Sequence, residues 1–222
     1  IFALLRTMVV KDAVRQSRAD ETRRLLLDAA QTVFSHKGYH DTSMDEIVRA
    51  ADRSKGAAYF HFPAKSEIFR AVMNRLADRL ERKVQLAVSR ETTPVCRLEA
   101  ALNAVLEAFT GHRRVAKLAL VELVGAGAEF QDALAELRLR FCRLIQTELD
   151  RGIENGTIAQ INSRLVSMAW FGAINEIVLA WLRNENPTDL SRTISELRKM
   201  LIRSVIIHTN TDMTLSREGD TQ

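Results

Sequence analysis

Between Thr42 and Lys65 the chain places hydroxyls, ammonium groups, a phenol and an imidazole at spacings that would bring them to one surface. Thr42 and Ser43 stand at the start of one short helical pattern. Ser54, Lys55, Gly56 and Ala57 open a second, Tyr59 and His61 lie further along it, and Lys65 follows the break at Pro63. Each polar side chain here can donate a hydrogen bond and the two lysines carry charge, so a polyanion is the natural partner. The start of a helix adds unpaired backbone N–H groups and the positive end of the helix dipole, both of which favour a phosphate. Gly56 and Ala57 are small enough to let that backbone approach a partner closely. Taken singly, each of these residues fits a solvated surface or a half-buried turn; the combination points to chemistry.

The frame for such a surface is a pair of short helices separated by about four residues, a helix-turn-helix. Ser43 followed by Glu46 fits a capping box, which starts a helix running to about Ala51. Asp52-Arg53 makes the turn, since Asp tolerates the left-handed conformation better than most residues. Ser54 caps the second helix through Phe60, and Pro63 ends it. Upstream, a helix from about Asp20 to His36 buries Leu26, Ala30, Val33 and Phe34, with Gly38 placed to stop it. Residues 1–19 read as a flexible basic arm or a leader, with Met8 a candidate start. Arg15, Arg18, Arg23 and Arg24 then lie on a solvated stretch rather than in a groove.

Further on, apolar residues recur at three- and four-residue spacing almost throughout. A long helix spans about Lys65 to Arg90 with Ile68, Phe69, Val72, Leu76, Leu80 and Val84 inward; Ala64 cannot cap it through its side chain. Thr93-Pro94 is an N-cap followed by Pro at the first helical position, starting a helix that stops at Gly111. Helices follow over about Arg113–Val124, Phe130–Glu154, Ser163–Asn184 and Leu190–His208, the break at Gly125-Ala126-Gly127 separating the first two. The polar tail, residues 209–222, reads as disordered. The expected fold is all-α with about nine helices: a three-helix helix-turn-helix domain over residues 20–66 and a helical bundle over 67–208.

The 222 residues are 46% apolar and include only three prolines, so a sizeable helical core is affordable. Residues 1–83 hold 16 Lys and Arg against 11 Asp and Glu; the rest holds 16 against 17. The whole basic excess therefore lies in the first 83 residues, and a basic end suggests a polyanionic partner. Cys96 and Cys142 read as core residues in a reducing cytosol, and the five histidines show no metal-ligand spacing. There is no Gly-x-Ser-x-Gly, no Walker loop and no metal motif, which argues against an enzyme. No cofactor is expected. The most apolar stretch, Val166 to Leu182, is shorter than a span of ~20 apolar residues. The protein is expected to be cytoplasmic, with no membrane partner. A bundle that only supports other proteins would account for the C-terminal two-thirds, but not for the polar, basic face from Ser54 to Lys65.

The segment Leu26-Leu27-Asp28-Ala29-Ala30, with Phe34, Gly38-Tyr39 and Thr42, resembles the opening of the TetR family. Asp45-Glu46-Ile47, Ser54-Lys55-Gly56, Tyr59, His61-Phe62 and Lys65 fall at that family's spacing, and the resemblance covers about residues 20–80. The chain departs from it at Asp52-Arg53, where the family usually has Gly-Val, at Ala57 and Ala58, where Thr and a larger apolar residue are common, and at Ala64. The resemblance implies a transcriptional regulator, in most members a repressor. Double-stranded operator DNA is then the polyanion, and an α-helix fits its major groove. Tyr59, His61 and Lys65 would donate to phosphates, Thr42 and Ser43 would bring backbone N–H groups to the DNA, Lys55 is the candidate base reader, and Ala57 would touch a thymine methyl.

The resemblance also implies a homodimer built on the last two long helices. Leu165 to Leu182 is apolar on nearly every face and needs cover on both sides. Leu165, Gly172, Ile174, Ile194, Leu197, Leu201 and Val205 are the expected interface. A small hydrophobic inducer, an acyl chain first, is expected among Phe109, Leu118, Phe141, Ile145, Trp170, Phe171, Ile174 and Asn175, with Asn103, Glu122 and Glu176 also at hand.

Overall fold

Nine α-helices, and no β-strand, are found among the residues that this computed structural model describes, 2–122, 127–183 and 190–206. The first, α1, runs from Phe2 to Lys37, so the arm expected to be flexible before Asp20 is helical from Phe2 onward. No Gly or Pro interrupts the chain before Gly38, and the polar side chains find partners along the helix. Gln16 donates to Asp20 (3.3 Å), and Arg24 pairs with Glu21 (2.7 Å) and Asp28 (3.0 Å) at the three- and four-residue spacings of one helix face. Gly38 ends α1 with φ of 84°, its N–H bonded to the Phe34 carbonyl at 2.8 Å.

The short elements form where the local signals placed them. Ser43 Oγ accepts the Glu46 N–H at 3.3 Å and the Glu46 carboxylate accepts the Ser43 N–H at 2.9 Å, a complete capping box that starts α2 (Met44–Ala50). Asp52 takes the left-handed conformation with φ of 51°. Ser54 Oγ accepts the Ala57 N–H at 3.2 Å and starts α3 (Lys55–His61). α4 (Lys65–Val88) begins after Ala64 with no side-chain cap, and α5 (Pro94–Gly111) begins at Thr93 with Pro in its first turn.

The next helix departs from expectation. α6 (Arg113–Lys117) widens into a π turn over Leu118–Glu122, and Val124 lies outside the described residues. A 3₁₀ turn (Ala128–Phe130) leads into α7 (Gln131–Glu154), followed by α8 (Ser163–Leu182), capped by Asn162, and α9 (Leu190–Arg203). α9 stops short of His208, itself outside the described residues, because the chain next pairs its backbone elsewhere. Ile206 bridges to Ile158, and the Val205 carbonyl accepts the Ala159 N–H at 3.1 Å.

Two cores result. One joins α1, α2, α3 and the first half of α4 through Leu26, Ala30, Phe34, Ile47, Ala58 and Phe69, and it also takes in Leu118 and Phe130. Tyr39, Phe69 and Phe130 meet at centroid distances of 4.7 to 5.1 Å, and Phe34 closes on Phe69 at 5.1 Å. Tyr39 Oη donates to Glu129 at 3.2 Å, and burial with that carboxylate pushes the phenol up to about 12. The helix-turn-helix head, α1 to α3, therefore shares its core with the body of the protein. Arg75 of α4 ties the same joint, donating to Asp28 (2.7 Å), Gln31 (2.9 Å) and the Leu27 carbonyl (2.9 Å) on α1.

The second core packs α5, α7, α8 and α9 around Leu98, Leu102, Leu149, Trp170, Ile174, Val178 and Leu201. Buried Glu148 of α7 accepts from Arg97 of α5 at 2.6 and 3.1 Å and from Arg151 at 2.6 Å, so its charge is compensated. Cys142 is buried, whereas Cys96, expected in the core, is exposed. Among the described residues one helix, Ser163–Leu182, is long and apolar enough to cross a membrane by length and composition; its Trp170, Ile174 and Val178 lie in this core.

The shared aromatic core makes a direct prediction. Phe130→Ala, far from α2 and α3 in sequence, should cost about 3–5 kcal/mol in urea unfolding. It should also lower amide-exchange protection in α2 and α3. Loss confined to α7 would show that the head folds on its own.

Candidate nucleic-acid interface and internal cavity

α3 is held by Ala58 and Phe62, four residues apart and both buried. That registration turns Lys55, Gly56, Tyr59 and Phe60 outward. A Cβ added at Gly56 would meet no atom within 4 Å, so the fold does not require glycine there and the space is open to a partner. Tyr59 is 46% exposed and Phe60 80% exposed. Phe60 was missed by the sequence reading, although a three- to four-residue period set on Ala58 and Phe62 points it to solvent. Ala57 and His61 are half-buried, the His61 ring 5.2 Å from that of Phe60.

Ser43 and Ser54 are exposed at the starts of α2 and α3, each with its hydroxyl engaged in a cap. The carboxylate of Glu46 is pulled down to about 2, by Lys37 first and then by the Ser43 backbone and hydroxyl. Lys55 pairs with Asp45 across the turn at 2.7 Å, which raises the affinity of its ammonium for the proton and keeps it charged.

Two expected contacts are corrected. The Thr42 N–H, expected to face the DNA, turns inward to the Tyr39 carbonyl at 3.4 Å, and its hydroxyl donates to the Gly38 carbonyl at 2.7 Å in a residue that is 3% exposed. Lys65 does not face outward as a phosphate ligand. Its ammonium donates to the carbonyls of Tyr39 (2.8 Å), Thr42 (2.9 Å) and His40 (3.3 Å), and sits 4.4 Å from the Tyr39 ring centre. All three donors are used. The loop between α1 and α2 turns its carbonyls toward the start of α4, and Lys65 is the group that satisfies them.

Beneath the head lies a partly open cavity of about 720 Å³ lined by α1, α4, α5, α6, α7 and α8. Phe109, Phe141, Ile145, Trp170, Phe171, Ile174 and Asn175 line it, as expected. Phe141 and Phe171 stack at 6.3 Å. Leu118 does not line it: in the π turn Ala119 and Leu120 face the cavity, while Leu118 is fully buried in the head's core. Met73, Leu76 and Leu80 of α4 complete the apolar wall and were missed, because their stripe reads from sequence simply as core. Of the other polar groups expected nearby, Asn103 accepts from Arg198 at 2.7 Å instead, Glu176 is exposed, and the Glu122 side chain is outside the described residues. The charged lining residues are Arg79, Lys83, Arg138 and Glu107.

The outer face of α8 carries Leu165 (64% exposed), Met168, Ala169 and Gly172 along one stripe. Ile174 points the other way into the protein's own core. Ile194, Leu197, Leu201 and Val205 are likewise covered within the chain, packed on α5 and α8 rather than left open for a partner.

A helix-turn-helix carried on a larger helical body is the architecture of a DNA-binding transcription regulator. Comparison with known proteins gives the family. A model of the bacterial regulatory proteins of the tetR family matches residues 26–72, and one of the tetracyclin repressor-like C-terminal domain matches residues 91–205. The HTH-type transcriptional repressor BepR of Brucella suis is 30% identical over 202 residues, 84% of this chain and 94% of that protein. FadR from Bacillus subtilis, solved in complex with stearoyl-CoA, has a TM-score of 0.73 at 23% identity and covers 83% of this chain and 99% of its own. AibR, solved with isovaleryl coenzyme A and operator DNA, has a TM-score of 0.62 at 20% identity and covers 82% and 98%. The chain belongs to the TetR family of transcriptional regulators.

The two lysines should separate in a salt titration of duplex binding followed by fluorescence anisotropy. Lys55→Ala should reduce the slope of log affinity against log salt by about one. Lys65→Met should weaken binding on every sequence and lower stability with the slope unchanged, because it removes a loop support and no phosphate contact. A reduced slope for Lys65→Met would return that residue to the DNA surface.

Proposed function

We propose that the protein is a cytoplasmic, homodimeric repressor that binds a near-palindromic operator and leaves it when an acyl ligand fills the cavity. The observation that carries this reading is the cavity of about 720 Å³, lined by aromatic and aliphatic side chains with a few polar groups, directly beneath the reading head. Its size and lining are those of a small-molecule site. Residues 20–66 form the head, and residues 67–208 the ligand-binding and dimerising body. Ser43, Ser54, Lys55, Gly56, Ala57, Tyr59, Phe60 and His61 make the DNA surface. An acyl ligand is favoured because two structures of this fold hold stearoyl-CoA and isovaleryl coenzyme A, the latter with operator DNA.

The dimer would form on the exposed α8 stripe of Leu165, Met168, Ala169 and Gly172, together with Met200 of α9, which is also exposed. Two reading helices related by a two-fold axis enter successive major grooves about 34 Å apart, one helical turn of DNA. A ligand moves such a dimer by binding better to the form whose heads do not fit that spacing. Full release needs a differential affinity of about 5.5 kcal/mol. Burying roughly 200 Å² more apolar surface in one state supplies it.

Leu165→Asp with Met168→Asp should give a folded monomer in sedimentation velocity at micromolar concentration, with operator affinity lost. An unchanged dimer would place the interface elsewhere. Phe171→Ala, in the cavity wall and half-buried, should weaken acyl-CoA-driven release of a DNA duplex by about tenfold while leaving binding to that duplex intact. Equal release by the variant would remove the cavity from the mechanism.

A further inference from the structure

The polar lining of the cavity is unbalanced in charge. Arg79 and Lys83 lie one turn apart on α4, Arg138 lies on α7, and Glu107 of α5 is the one carboxylate among the lining residues. Glu107 is already paired with Lys83 at 3.1 Å. Neither Arg79 nor Arg138 has a carboxylate partner among the described residues. By contrast, Arg140, two residues further along α7, is bound to Asp78 (2.5 Å) and Glu81 (2.7 Å) of α4, which clamps α7 across α4 at the level of Arg79. The carboxylates nearby are thus committed to the clamp, and two guanidinium groups are left at the cavity edge.

We infer that this edge takes the anionic head of the ligand, with Arg79 and Arg138 as its binding residues and the apolar wall of Phe141, Phe171 and Trp170 receiving the tail. The inference rests on the acyl-ligand reading above and adds the head-group chemistry. A guanidinium offers paired N–H donors that match a carboxylate or a phosphate, and both Arg79 and Arg138 are exposed at the rim, where an anionic head can reach them from solvent. A carboxylate of a free fatty acid and the phosphates of a coenzyme A thioester share this chemistry.

The position of the edge also says how the head group would be felt. Arg79 donates weakly to Gln31 Oε1 of α1 at 3.4 Å, and Gln31 also lines the cavity. Gln31 Oε1 accepts from Arg75 at 2.9 Å in the tie between α1 and α4. An anion accepting from Arg79 pulls on the guanidinium that also reaches Gln31, at the joint between α1 and α4. Gln31 is here a positioning residue.

The test compares decanoate, decanoyl-CoA and decanol, which share one tail, by calorimetry on the full chain and by release of bound duplex DNA. At least one of the two anions should bind about tenfold or more tightly than decanol, and Arg79→Met with Arg138→Met should abolish that preference while leaving decanol binding as it was. Preference for decanoate alone assigns the edge to a carboxylate; preference for decanoyl-CoA alone, with free coenzyme A as control, assigns it to the phosphates. Decanol binding as well as both anions overturns the inference and leaves the apolar-ligand reading standing. The same holds if the wild type prefers an anion and the double variant, folded by circular dichroism, keeps that preference. No binding or release by any of the three overturns both. Gln31→Leu gives a separate readout: it should bind the preferred anion as before but release DNA less.

Discussion

The reading surface depends on one ammonium group. Lys65 holds the carbonyls of Tyr39, His40 and Thr42 together and caps them with the Tyr39 ring, and this fixes the loop from which α2 departs. α2 carries the capping box, the turn at Asp52 follows, and α3 is placed by that turn and by the burial of Ala58 and Phe62. The three carbonyls lie where α1 and α2 meet the start of α4, a position that a helix without a side-chain cap leaves open. A charge in that place offsets their loss of water and costs little itself, because every donor it has is taken.

What the sequence made legible follows how local the physics is. The capping box of Ser43 and Glu46, the left-handed Asp52, the stop at Gly38 and the cap at Thr93 each depend on neighbours within a few residues, and each forms as read. Lys65 was misread because its residue type speaks for charge, while its direction is set by carbonyls more than twenty residues away in the chain. Leu118 was placed in the cavity as a large apolar residue of its helix, but the π turn there points it into the other core. An amphipathic stripe such as Ile194, Leu197, Leu201 and Val205 states that one face is covered, not by what; here the cover is the chain's own α5 and α8. The cavity's aromatic wall was visible as composition. Its share from α1 and α4 was not, since only tertiary packing brings Gln31, Met73 and Leu80 to the same space as Phe171.

The cavity and the head are joined by two kinds of contact with different consequences. The aromatic contact of Tyr39, Phe69 and Phe130 is apolar, close-packed and resistant to small displacement. The polar tie through Arg75 to Asp28, Gln31 and Leu27 is directional, and its Nε is buried without a partner, so it holds geometry more than it adds stability. A rigid pivot beside a directional latch is a joint that rotates in preference to separating.

The shared aromatic core also bears on how this regulator can be rebuilt. Exchanging a whole reading head between relatives, with the crossover at the start of α4, would cut Tyr39 and Phe34 away from Phe69, Leu118 and Phe130 and set them against a foreign surface. The unit that transplants intact is smaller. The outward positions of α3, Gly56, Tyr59 and Phe60, and Lys55 apart from its pair with Asp45, touch little of the fold that supports them, so substitutions there leave the packing of the body in place.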